Sequence, residues 1–225
     1  MPEHAFQNLV QVVDRLHRRD GCPWDRALKL KDLRKYILEE AHEVIEAIND
    51  NDLVKLKDEL GDLLFQVLTC AKLADKKKSF RIEDVLINTK KKMLRRHPHV
   101  FGNTRIRHMN DILDNWERIK KDELKNSKDK RAPSIPETLP ALAKAELIQK
   151  RMSTKDPDPE RILNTIKRDL SVLEKEKHSK GSKTLEKTIG RTLFNTVTLA
   201  RLNKINAECA LESFNQSEIK KRRKK

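Results

Sequence analysis

Glycine is scarce in this chain, with five in 225 residues, and aromatic residues make up only 4% of it. That profile disfavours a β sandwich or a doubly wound sheet and suits helices. No P-loop or other glycine-rich phosphate cradle occurs, so any phosphate must be held by side chains and metal ions. Cysteine is limited to Cys22, Cys70 and Cys209, which lie far apart without paired metal spacing. A reducing compartment follows as the default. No stretch approaches the roughly 20 apolar residues needed to cross a bilayer, and the N-terminus has no signal-peptide apolar core. The expectation is a soluble, cytoplasmic, all-α protein with no membrane partner.

Charge is what the chain has in abundance: 50 Lys and Arg against 35 Asp and Glu, a formal net charge of +15. Such an excess points to polyanionic partners without choosing among nucleotides, nucleic acid and anionic membrane. Much of it sits in Lys76–Lys78, Lys90–Lys92, Arg95–Arg96 and Lys220–Lys225. No nucleic-acid-binding motif accompanies these runs, so no nucleic-acid partner is expected. The terminal KKRRKK resembles a nucleic-acid or localisation patch, and the favoured reading is a solvated, disordered end.

The most informative stretch is Tyr36 to Gln66. It reads as two helices joined by a polar turn at Asn49–Asp52, each with an apolar stripe at helical spacing. Glu40 and Glu43 stand at i, i+3, as do Glu59 and Asp62, so each pair projects from one side of its helix. A short turn makes the helices antiparallel neighbours, which sets the two pairs opposite each other. Such a group of carboxylates repels unless a cation sits between them, and all-oxygen ligands suit Mg²⁺, with Mn²⁺ as the alternate. An acidic string alone marks a solvated face. A second acidic pair, bordered by leucines and by Gly61 in a helix interior, weighs toward a metal site. On pattern alone both readings stay open. Gly61 costs about 1 kcal/mol against Ala, and a close packing contact is the expected compensation.

At these residues the chain resembles a known family. Glu39-Glu40-x-x-Glu43 followed by Glu59-x-x-Asp62 is similar to the acidic signature of all-α nucleotide pyrophosphohydrolases. Asp20–Asp25 (DGCPWD), Glu59–Leu64 (ELGDLL), Arg95–Gly102 (RRHPHVFG) and Trp116-Glu117-x-Ile119-Lys120 narrow the resemblance to the MazG family. It is close over residues 5 to 150 and weak beyond. The resemblance implies tandem four-helix-bundle repeats, a homodimer, and cleavage of nucleoside triphosphates to monophosphate and pyrophosphate in nucleotide housecleaning or stress-linked control. It casts Glu40, Glu43, Glu59 and Asp62 as metal ligands, with Glu39 orienting or deprotonating water. It casts Lys92, Arg95 and Arg96 as phosphate ligands.

Around that centre, Phe6 to Leu16 forms an amphipathic first helix. Gly21 and Pro23 then place Trp24 in a loop, either plugging the core edge or stacking on the nucleotide. Asp52 is a reasonable N-cap for the second acidic helix. A further helix runs from Ile82 to Arg96, whose terminal cations complement its dipole or hold a triphosphate. His97 and His99 lack a third nitrogen or sulfur ligand and read as loop packing, with Pro98 enforcing an extended turn. Another helix spans about Asn110 to Lys125.

The expected domains are 1–128, a linker over 129–139, and 140–225. The last repeats the two-helix frame of the first in decayed form. Ile189-Gly190-Arg191 aligns with Leu60-Gly61-Asp62, Thr188 with Glu59, Val172 with Glu43, and Asp169 with Glu40. Arg191 would repel a cation, so this half reads as structural or dimerising. Two rival readings are a regulatory nucleotide-binding protein without turnover and a basic helical nucleic-acid-binding protein.

Overall fold

A computed structural model describes residues 2–106, 108–126, 135–152, 156–176 and 181–223. Among them every regular element is helical, and the chain divides into two compact units, Met1–Asn126 and Ser127–Lys225. The first unit contains α1 (Pro2–Leu16), α2 (Pro23–Ala27), α3 (Leu33–Asn49), α4 (Leu53–Lys76), α5 (Ile82–Arg96), α6 (Pro98–Phe101) and α7 (Met109–Asn126). The second contains α8 (Ala141–Met152), α9 (Pro159–Glu176), α10 (Lys183–Leu202) and α11 (Ala207–Arg223). None of these helices is long and apolar enough to cross a membrane.

The α3–α4 hairpin is set by its turn. Asn51 adopts a left-handed backbone, φ 53°, which Asn tolerates better than most residues. Its N–H donates to Ile48 O at 3.1 Å and the N–H of Asp52 to Ala47 O at 3.0 Å, satisfying two carbonyls that the helix end leaves open. Asp52 then caps α4, accepting from the N–H groups of Val54 and Lys55 at 3.0 Å. The same closing turn recurs after α4 at Lys78 (φ 55°) and after α10 at Lys204 (φ 60°).

Packing is concentrated at one end of α4. Leu68, Ala71, Leu73 and Ala74 are buried, together with Val13 of α1. Glu59 and Asp62 lie in the other half of α4, away from this core. There the hairpin leaves apolar side chains uncovered: Leu38 is 60% exposed, Ile48 58%, Leu53 72% and Leu60 50%.

Several local expectations change. Pro23 and Pro98 start short helices rather than holding loops, because proline at the first helical position is pre-set for the turn. Trp24 does not plug the core edge; it is 65% exposed. Gly61 has no close packing contact within its own chain, since a Cβ there would meet nothing within 4 Å. The basic run before the C-terminus continues α11 through Arg223, where cations complement the helix dipole; Lys224 and Lys225 lie outside the described residues. Within the expected linker, 129–134 also lie outside them, and Leu139 N–H donates to Pro136 O at 3.3 Å just before α8.

Candidate active site

Glu40 and Glu43 reach across from α3 to Glu59 on α4. One carboxylate oxygen from each lies within 4.8 Å of the others. The i, i+3 spacing puts Glu40 and Glu43 on one side of α3, and the tight turn brings that side against α4. Asp62 stands outside this trio, yet its charge is felt by both Glu40 and Glu59.

The electrostatics are those of crowded, partly desolvated anions. Glu40 is pushed above the usual carboxylate range by burial first, then by the charge of Asp62 and by Glu43. Glu59 is raised by burial, then by Glu43, against the counter-effect of Lys55. Negative charge therefore accumulates without full compensation from protein cations. A hard divalent ion fits that donor set: three carboxylates at bridging distance with a fourth beside them. Glu39 is exposed, one position from Glu40.

Two residues of this face were not singled out from sequence. Gln66 Nε2 donates to Glu40 Oε1 at 3.4 Å, which orients that carboxylate. Lys55 pairs with Glu46, and its charge is coupled to Glu59 and Glu43. Residues 55, 59, 62 and 66 follow i, i+4, i+7, i+11, so helical spacing alone places them together on α4.

The cations of α5 are arranged differently from a bare phosphate cradle. Lys92 is exposed. Arg95 and Arg96 both engage Glu123 of α7: Arg95 Nε to Oε1 at 2.7 Å, Arg96 Nη2 to Oε2 at 2.6 Å. The Arg96 guanidinium also lies 5.3 Å from the centre of the Trp116 ring. His97 packs edge-on against Trp116, with centroids 5.0 Å apart, and its Nδ1 lies 2.7 Å from Met93 O.

The corresponding hairpin of the second unit, α9–α10, has a guanidinium where the first has an acid. Asp169 is 1% exposed, and Arg191 Nε lies 3.0 and 3.2 Å from its two carboxylate oxygens while Nη2 also reaches Oδ1. The hydrogen bonding from Arg191 holds Asp169 below the usual carboxylate range, against the opposing effect of burial. The pair is a closed fork in which a side chain supplies the positive charge.

Residues 29–101 match the MazG nucleotide pyrophosphohydrolase domain, a span that includes Glu39, Glu40, Glu43, Glu59 and Asp62 together with Lys92, Arg95 and Arg96. The chain is 35% identical over 222 residues to the nucleoside triphosphate pyrophosphohydrolase/pyrophosphatase MazG of Thermotoga maritima, covering 97% of this chain and 84% of that protein. It is 42% identical over 147 residues to YabN of Bacillus subtilis, where the match takes in 65% of this chain and 30% of the relative. A crystal structure of a mazG-related protein from Thermotoga maritima superposes with a TM-score of 0.45 at 27% identity, covering 51% of this chain and 98% of that one.

Proposed function

The chain belongs to the MazG family, and on that premise we propose that it is a metal-dependent nucleoside triphosphate pyrophosphohydrolase. It releases pyrophosphate from NTP or dNTP and leaves the nucleoside monophosphate. The observation that carries this reading is the convergence of Glu40, Glu43 and Glu59 within 4.8 Å. Those three, with Asp62, would hold Mg²⁺ or Mn²⁺. Bound there, a divalent ion supplies positive charge against the phosphoryl oxygens and acidifies the attacking water.

The chain's own groups do the rest. Gln66 donates a long hydrogen bond to the Glu40 carboxylate. Glu39, beside the same face, orients the attacking water or takes its proton. Lys92, Arg95 and Arg96 neutralise the β and γ phosphates as pyrophosphate departs. Trp24, exposed next to Pro23, offers an aromatic face to the base. The uncovered leucines and isoleucines of α3 and α4 support a homodimer in which two copies cover that face. Gly61, open on its own chain, permits the close approach. Action in the cytoplasm, in housecleaning of the nucleotide pool or in nucleotide-based stress control, goes with this chemistry.

The test is hydrolysis of an NTP and dNTP panel with Mg²⁺, resolving pyrophosphate from orthophosphate. Pyrophosphate is the expected product, with a loss of at least about 100-fold in kcat/KM in a Glu40→Gln, Glu43→Gln double variant. Orthophosphate would mean cleavage at the β–γ bond and a different mechanism. Mg-dependent nucleotide binding without any product would make the protein a regulatory nucleotide binder.

A further inference from the structure

We propose that Glu123 is a positioning residue for the triphosphate, drawing Arg95 and Arg96 together into one two-guanidinium clamp. This rests on the reading above in which those arginines meet the leaving pyrophosphate. Successive positions of a helix point about 100° apart, and two guanidinium groups repel. Arg95 and Arg96 would therefore diverge if left alone. A single carboxylate prevents this. Glu123 Oε1 accepts from Arg95 Nε at 2.7 Å and from Arg96 Nε at 3.3 Å, while Oε2 accepts from Arg96 Nη2 at 2.6 Å.

The surroundings fit an arm that fixes side chains. The Glu123 side chain is only 18% exposed and that of Arg96 17%. Trp116 stands seven residues before Glu123, on the same face of α7, and lies beside the Arg96 guanidinium. Arg96 is thus held by a ring and by a carboxylate from one helix. Its hydrogen bond is the main reason that Glu123 sits below the usual carboxylate range, so the bridge is ionised at neutral pH. A guanidinium has five N–H donors, and the bridge leaves most of them on both arginines to phosphate oxygens. Ordering two long side chains before the ligand arrives removes an entropic cost from binding.

The experiment measures binding of magnesium pyrophosphate to the full chain by calorimetry, alongside NTP kinetics and thermal melts, for wild type, Arg96→Ala, Glu123→Gln and Glu123→Asp. Glu123→Gln is expected to weaken pyrophosphate binding roughly tenfold and to raise KM for NTP in parallel, the loss falling on KM more than on kcat. Affinity for nucleoside monophosphate should stay put. Glu123→Asp keeps the charge on a shorter arm and should fall between. Tighter pyrophosphate binding in Glu123→Gln would show a carboxylate competing with substrate and overturn the proposal. Equal losses for pyrophosphate and monophosphate, tracking a lowered melt, would reduce Glu123 to a structural tie and overturn it too. If Arg96→Ala leaves pyrophosphate affinity intact, the phosphate role of the arginines fails and this inference with it. If Arg96→Ala weakens binding and Glu123→Gln does not, the arginines keep their role and Glu123 loses its own.

Discussion

The Asp169–Arg191 pair shows how much one side chain can decide. A carboxylate that is 1% exposed is tolerated only with a partner, because burying an unpaired charge is costly. The two members are unequal, since the Arg191 side chain is 48% exposed and stays hydrated if left alone. Arg191→Ala should therefore lower the melting temperature by roughly 5–10 °C, and Asp169→Asn by clearly less. Thermal melts followed by circular dichroism check this; equal losses would mean that the carboxylate is not the constrained partner. The replacement of Asp62 by arginine at the matching position was legible because the repeat keeps its register around Gly61 and Gly190. Glu40 and Glu43 were legible for a related reason, since i, i+3 spacing survives in any helix, and the short turn sets Glu59 opposite them. Glu123 was not. Its contact joins residues 28 apart on helices whose mutual placement no periodicity encodes.

At the level of elements, the α4 end is closed by a left-handed lysine, Lys78 at φ 55°. For a residue with a Cβ this conformation costs on the order of 1–2 kcal/mol, and glycine adopts it freely. Lys78→Gly should accordingly raise stability by about 1 kcal/mol, allowing for the extra chain entropy of glycine. Urea unfolding measures it through the midpoint at constant slope; a drop in the midpoint would mean that the lysine side chain contributes more than its backbone strain. Long helices were readable from their apolar periodicity, and the helix from Ile82 to Arg96 has the limits its pattern gives. The short helices at Pro23 and Pro98 were not. Proline signals a break to whatever precedes it and equally permits a start, and four or five residues carry too little pattern to tell the two apart.

Across the whole molecule the two hairpins titrate in opposite senses. Glu40 and Glu59 have folded-state pKa values raised above their ordinary range. Without metal, their charges oppose folding at neutral pH, and that opposition fades as pH falls through the raised values. Asp169 is depressed: its contribution is present above the ordinary aspartate range and is lost only as pH falls through the lower folded value. In chelator-treated full-length protein, backbone hydrogen exchange corrected for intrinsic rates should report both. Protection of α3–α4 is expected to rise as pH falls from neutral toward the ordinary glutamate range, while that of α9–α10 holds through that range and is lost only below the ordinary aspartate range. Flat protection in α3–α4 would mean that neither burial nor repulsion of these charges opposes folding. Arg191 also sets a difference in supply. The ion proposed at Glu40, Glu43 and Glu59 would be present only as far as its free concentration permits. Arg191 is tethered by the backbone, so its effective concentration at Asp169 stays high whatever the surrounding solution contains. On the proposed metal site, dilution or starvation for divalent ions would empty one hairpin of its counter-charge and leave the other untouched.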